Sequence, residues 1–270
     1  MEFFLEVVVF GTCVIFAAIR LVKWLTYTSD SQSGRIFKLV LGFLPAVCLV
    51  MVFITLTTMA SFDVVDSFLY IFCYMAMGMV WLVFGMYLLF KFFDVSWIDD
   101  ALNMSNKAAL VTVVAFGLAF TLIYAGANIG DGPGWWCVVF AGGAGISLYV
   151  FFVFLADKIT GMFERITIDR DVSCGLRTGG YLIAAGIILA RASAGDWTSF
   201  SMTIFEFWTG WPVLILTPLA VFVEFSYVKL ARTNLENGEY KEYRGSSLLW
   251  GLGYIAGAIA VIFLALPPLI

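Results

Sequence analysis

Long, nearly continuous apolar runs are the feature of this sequence that most limits what it can fold into. A helix needs about 20 residues to cross the hydrocarbon core of a bilayer, and eight runs reach that length. Charged residues make up only 13% of the chain, whereas soluble globular domains have about 25%. The runs lie at residues 3–25, 36–60, 67–92, 105–127, 135–160, 175–195, 204–230 and 246–267.

The runs predict an all-α, polytopic (multi-pass) integral membrane protein with eight transmembrane helices. Short polar connections that contain turn residues separate them, for example at 28–34 and 128–134. A transmembrane β-barrel would instead show shorter segments in which apolar and polar residues alternate. The bilayer is therefore the first partner that the sequence predicts.

The basic residues are distributed unevenly around these runs. Fourteen of the fifteen lysines and arginines flank the first, third, fifth and seventh connections, and only Arg191 lies towards the other end of its run. Cytoplasmic loops of membrane proteins carry an excess of lysine and arginine. We therefore expect both termini on the non-cytoplasmic side.

Several absences argue against enzymatic chemistry. The chain has no histidine, which is the commonest general base and the usual ligand of zinc and haem iron. Its five cysteines stand singly in or beside apolar runs, which is typical of small buried hydrophobes. The net charge of −4 and the lack of a basic block argue against nucleic acid binding. We predict no cofactor, no metal, no nucleic acid partner and no enzymatic activity.

A weak internal similarity indicates a duplication. When the chain is shifted by 69 residues, Asp100 aligns with Asp169 and Gly117 aligns with Gly186, and the helix ends and loop lengths also agree. We predict two four-helix membrane repeats in the same orientation, residues 1–130 and 131–270. Such parallel repeats are related by a pseudo-two-fold axis along the membrane normal, and any central pathway would lie near that axis.

Two short stretches resemble a known family. Asp100 leads to Asn106 at the start of an alanine-rich helix, and Asp169 leads to Arg177, with Gly175 where the first copy has Asn106. The pattern resembles the YjfL-like bacterial membrane family, a domain of unknown function, in two apparent tandem four-helix copies. The resemblance implies a protein of the bacterial inner (cytoplasmic) membrane, linked in some members with envelope stress. The candidate repeat motif is Asp100, Asn106, Asp169 and Arg177.

Two charges inside the apolar runs are candidate functional residues, because ionisable groups in a membrane are costly. Glu224 is either a proton or cation site, or a carboxylate paired structurally with an arginine such as Arg177. Arg191 either reaches the interface or pairs with Asp196 or Glu206, or it binds an anion.

Smaller features concern helix packing and the connections. Gly253 and Gly257 have the GxxxG spacing and predict close packing of the last helix. Residues 164–171 form either a surface amphipathic segment or a helix start capped by Asp171 and Ser173. Residues 236–244 are the longest soluble patch and a candidate site for a protein partner.

Two function classes follow. The first is a non-enzymatic membrane component or an envelope-stress-associated subunit, with a protein partner at the cytoplasmic loops. The second is a transporter-like protein or channel for a small solute or ion, with Glu224 beside the path. The scarcity of polar groups in the apolar runs favours the first class. The sequence leaves the solute, the partner and the oligomeric state open.

Overall fold

The computed structural model describes residues 2–196, 198–236 and 243–266. Over these residues the chain is helical and contains no strand. The helices are α1 Glu2–Asp30, α2 Arg35–Thr58, α3 Phe62–Val65, α4 Phe68–Phe93, α5 Lys107–Gly126, α6 Trp135–Thr160, α7 Met162–Thr167, α8 Val172–Ser193, α9 Phe200–Glu206, α10 Val213–Glu236 and α11 Arg244–Ala265, with a π-helix at Trp97–Asn103 and a 3-10 helix at Phe207–Gly210.

The eight predicted spans are confirmed. The described part of the chain has eight helices that are long and apolar enough to cross a membrane, in the same order as the apolar runs. The seventh is interrupted, because α9 gives way to the 3-10 helix and α10 begins only after Pro212. Proline suits the start of a helix because it has no N–H to leave unpaired.

The connections gather at the two ends of the bundle. We call the end formed by residues 20–38, 91–107, 158–177 and 229–236 the basic end, because nearly all the lysines and arginines flank it. The opposite, acidic end contains the loops 59–67, 127–134 and 194–196. There the backbone N–H of Gly130 donates to the Met59 carbonyl, and that of Gly195 donates to the Ile129 carbonyl.

The centre of the bundle is the contact between α5 and α8. In each of these helices 72% of the most apolar stretch is buried, against 44% or less in the other six spans. Small residues allow the two backbones to approach closely, as is common in membrane helices. A Cβ on Gly186 of α8 would lie 2.6 Å from Ala119 Cβ of α5.

The outer helices pack on this pair. On one side α2 packs on α5, and on the other α11 packs on α8, where Gly180 faces Gly251. The prediction that Gly253 and Gly257 mediate close packing is wrong within this chain, since a Cβ built at either would meet nothing within 4 Å. The two residues lie on an exposed face of α11, whereas Gly251 lies on the face against α8.

The packing order α2, α5, α8 and α11 follows the chain and runs without a break across residue 130. The predicted division into residues 1–130 and 131–270, and the tandem repeat itself, stay predictions.

Candidate functional site

Four elements bring their polar side chains together at Glu224. Glu224 lies on α10, Arg177 on α8, Arg165 on α7 and Ser247 on α11, and we call these four residues the charge cluster. Arg177 Nε donates to Glu224 Oε2 at 2.7 Å and Nη2 donates to Oε1 at 2.6 Å. These two parallel bonds are the geometry in which a guanidinium binds a carboxylate most strongly.

The remaining donors of the cluster extend it to the neighbouring helices. Arg165 Nη2 donates to Glu224 Oε1 at 2.6 Å, and Arg177 Nη1 donates to Ser247 Oγ at 2.6 Å. The Arg177 guanidinium also lies over the Tyr227 ring, with Cζ 4.1 Å from the centroid, which is a favourable cation–π distance. Arg177 thus contacts both α10 and α11 from α8.

Burial and charge make the cluster unusual. The side chain of Arg177 is 3% exposed and that of Glu224 is 5% exposed, whereas Arg165 is 20% exposed. Burial acts to lower the pKa of the Arg165 guanidinium, but the Glu224 carboxylate contributes to a net shift upwards. Two guanidinium groups therefore share one carboxylate, which leaves the cluster with a net charge of +1.

The cluster lies near the basic end and away from the middle of the long helices. Arg177 is five residues beyond the start of α8, about 7.5 Å along the helix axis. Arg165 reaches Glu224 from α7, which connects two spans at that end. The space beside the cluster has a volume of about 10 Å³, close to the minimum that one water molecule requires.

Arg191, the second candidate charge, is not part of this site. It lies in the last turn of α8, fourteen residues after Arg177 and so about 21 Å further along the helix. There it is half-buried, and Glu206 is its main electrostatic neighbour. The structure therefore places Arg191 at the acidic end, and its role as an anion site stays a prediction.

A small polar pocket of about 50 Å³ lies at this acidic end. Glu206 and Asn128 line it, and the backbone N–H of Asp131 donates to Asp196 Oδ1 at 2.7 Å. The pocket does not include any member of the charge cluster.

Among the residues of the candidate repeat motif, only Arg177 belongs to the cluster. Asn106 is the N-cap of α5, where its Oδ1 accepts from the N–H groups of Ala108 at 3.0 Å and Ala109 at 3.2 Å. Its Nδ2 donates to the Ile166 carbonyl at 2.8 Å and so connects α5 to α7. Asn106 therefore has a structural contact on each side.

The corresponding cap of α8 is Asp171 and not Gly175. Asp171 Oδ1 accepts from the N–H groups of Ser173 at 2.8 Å and Cys174 at 3.0 Å. The interpretation of residues 164–171 as a helix start is thus confirmed at Asp171. Ser173 is not a cap, because it lies within the first turn and its backbone N–H donates to Asp171. The shift of 69 residues that aligns Asp100 with Asp169 does not align the two caps, because Asp171 follows Asn106 by 65 residues.

The two acidic members of the motif lie in the connections. Asp100 belongs to the π-helix, where its Oδ2 accepts from the Ser96 N–H at 2.7 Å. Burial raises the pKa of the Asp100 carboxyl, and the neighbouring charges of Asp94 and Asp99 act in the same direction. Asp169 is exposed. The structure brings neither of them to Glu224.

Sequence reasoning identified Arg177 as a partner of Glu224 but missed Arg165 and Ser247. In the sequence Arg165 is one of the cations that flank the fifth connection, and no pattern singles out Ser247. The alternation of charged and apolar residues in 164–171 does not show that Arg165 turns inward, because a period of two does not mark one face of a helix. The candidate partner patch at 236–244 falls mainly on residues 237–242, which lie outside the described residues.

Comparison with known proteins gives a match to one family. Residues 62–192 match the family described as Domain of Unknown Function (DUF350), and this stretch contains α3 to α8 and just under half of the chain. No curated protein and no solved structure matches the chain. The match includes the α5–α8 contact and two members of the charge cluster, Arg165 and Arg177. Residues 62–192 are therefore similar to a family of unknown function, the DUF350 domain.

Proposed function

We propose that this protein is a non-enzymatic component of the bacterial inner membrane, and that the charge cluster fastens its helices together instead of conducting ions. The observation that carries the proposal is the saturation of Glu224, whose two oxygens accept three N–H groups from two arginines. A fixed, fully bonded carboxylate is suited to holding α7, α8 and α10 in one arrangement.

The electrostatics of the site oppose transport of a cation. A proton or metal ion bound at Glu224 would have to displace charge-assisted hydrogen bonds in a cluster that is already positive by one charge. The adjoining space of about 10 Å³ would hold little more than one water molecule. The close contact between α5 and α8 fills the middle of the bundle.

A component of this kind acts through partners. The expected surface is the cytoplasmic side of the protein, where the connections are longest, and the YjfL-like resemblance suggests a subunit associated with envelope stress. The same proposal includes oligomers, because the exposed face of α11 carries Gly253 and Gly257.

The proposed sidedness is cytoplasmic for the basic end, with both termini on the opposite side, because of the uneven distribution of lysine and arginine. Reporter fusions after Ser31 and Thr167 should therefore give cytoplasmic signals, and a fusion after Gly132 should give an external signal. A cytoplasmic signal from Gly132 would contradict this topology.

The competing function is transport of a small solute or ion, and the pocket at the acidic end is the observation in its favour. Flux assays in proteoliposomes separate the two. We expect the protein to carry no more protons or K⁺ than protein-free liposomes, measured with a pH-sensitive dye and a K⁺-sensitive dye inside the vesicles.

The variant Glu224→Gln tests whether any flux depends on the buried carboxylate. Its matched control is Glu164→Gln, because Glu164 is exposed in the connecting helix α7. Flux that exceeds the protein-free level and is lost in Glu224→Gln but kept in Glu164→Gln would overturn the component proposal. Equal, background-level flux in all three proteins supports it.

A further inference from the structure

A groove of about 560 Å³ opens between α1 and α4 towards the basic end. One face of each helix lines it. On α1 these residues include Phe16, Arg20 and Trp24, which are spaced by four residues and so project from one side of the helix. On α4 they include Phe84 and Tyr87. The groove has the volume of an ordinary small-molecule site.

The inner wall of the groove is rigid. Trp24 is 3% exposed and stacks on Trp97, with ring centroids 4.0 Å apart and planes 9° apart. Its indole Nε1 donates to the Leu41 carbonyl of α2 at 2.8 Å. The rings of Phe84 and Tyr87 are by contrast about half exposed. The groove is therefore preformed on its inner side and opens towards the lipid.

Two cations lie along the α1 wall. Arg20 and Lys23 are about one helical turn apart and both are exposed. The Arg20 guanidinium lies over the Phe16 ring, with Cζ 4.9 Å from the centroid, which holds it beside the groove. The one carboxylate in the lining, Asp99, accepts from Ser96 Oγ at 3.1 Å. The lining therefore has two positive charges and one negative charge.

The same pair of helices offers an internal comparison. A second apolar groove, of about 460 Å³, lies between α1 and α4 near the acidic end, and its ionisable lining includes Glu6 but no lysine or arginine. Both grooves can accept hydrocarbon. Of these two grooves, only the one at the basic end also has cations, Arg20 and Lys23, about one helical turn apart. Only this groove therefore has a positive charge that complements a phosphate.

We propose that the groove at the basic end binds an anionic phospholipid of the surrounding bilayer. An acyl chain lies against Phe84 and the Trp24–Trp97 stack, and the headgroup phosphate binds Arg20 and Lys23. Basic pockets between membrane helices bind anionic headgroups, and aromatic rings are common at headgroup depth. The inference is independent of the proposed function, because it uses no residue of the charge cluster.

The test is a lipid titration of the purified, delipidated full-length protein, followed by native mass spectrometry. The probes are phosphatidylglycerol and phosphatidylcholine with identical acyl chains. We expect phosphatidylglycerol to bind on the order of tenfold more tightly, the preference expected from two cations near an anionic headgroup. The variant Arg20→Gln/Lys23→Gln should bind the two lipids within about twofold of each other.

The matched control is Arg35→Gln/Lys107→Gln, which also removes two exposed cations from the basic end but does not touch the groove. It should keep the full preference for phosphatidylglycerol. The inference is overturned if the unmodified protein shows no preference for phosphatidylglycerol. It is also overturned if both double variants lose the preference equally, since the general positive charge of the basic end would then be responsible.

Val83→Trp, which narrows the groove without a change of charge, should weaken binding of both lipids. Unchanged binding of both lipids would count against the acyl-chain site.

Discussion

Glu224→Gln should lower the free energy of unfolding by about 3–5 kcal/mol, the usual cost of removing one partner of a buried ion pair. The substitution leaves Arg177, whose side chain is only 3% exposed, without a carboxylate, and it places two guanidinium groups beside a neutral amide. The adjoining space of about 10 Å³ holds about one water molecule, and a neutral water does not replace the charge of the carboxylate. Unfolding in mixed detergent micelles, followed by circular dichroism, measures the change.

The two arginines should not contribute equally. Arg165→Gln should lower the free energy of unfolding by only about 1 kcal/mol, because Arg165 is partly exposed and the parallel bonds between Arg177 and Glu224 remain.

The double variant Arg177→Met/Glu224→Met should be more stable than the sum of its single variants predicts, since contacting groups couple by about 0.5–3 kcal/mol. Glu164→Gln is the exposed control and should be within about 0.5 kcal/mol of the unmodified protein. A loss in Glu224→Gln no larger than in Glu164→Gln would contradict a structural role for the cluster.

The number and order of the membrane spans could be predicted because the bilayer thickness fixes the length of a crossing helix, and hydropathy records that length directly. The Arg177–Glu224 pair was predictable as one of two alternatives for a similar reason. Two opposite charges in separate apolar runs lower their cost by meeting. Pro212 in the seventh run predicts either a structural kink or a gating hinge, because proline removes a backbone donor, and the span is interrupted there, directly before α10.

Other features depend on how helices are rotated, which hydropathy does not record. Arg165 joins the cluster only because α7 is a separate short helix between two spans, and nothing in its composition shows which way its side chain turns. Trp24 has a residue type that is common at membrane interfaces, yet it is buried and stacked on Trp97. In both cases the residue type was right for the interface, and the tertiary contact decided its role.

The glycines of the last helix also show that the sequence does not record how a helix is rotated. Gly253 and Gly257 match the packing motif, but the contact with α8 uses Gly251, two residues earlier and on another side of α11. A spacing motif establishes that two glycines share a face, and it does not establish that the face meets another helix. Only the geometry distinguishes glycines that are required from glycines that tolerate a side chain.

Gly186→Ala should therefore destabilise the protein strongly, by about 1–3 kcal/mol, which is the typical cost of forcing extra volume into a packed interface. The added Cβ would lie 2.6 Å from Ala119 Cβ and 2.7 Å from Ala119 Cα, so α5 and α8 must move apart along their most buried contact. Backbone atoms cannot rotate away as a flexible side chain can, and the separation disturbs neighbouring small-residue contacts as well.

Gly257→Ala makes the same chemical change on the exposed face of α11, where nothing lies within 4 Å of the new Cβ, so its stability should differ little from that of the unmodified protein. Thermal unfolding of both variants in the same detergent gives the comparison. Equal losses would mean that glycine flexibility, and not the distance between α5 and α8, sets the cost. A loss confined to Gly186→Ala would mean that the close α5–α8 contact, which lies within the DUF350 match, holds the centre of the bundle closed.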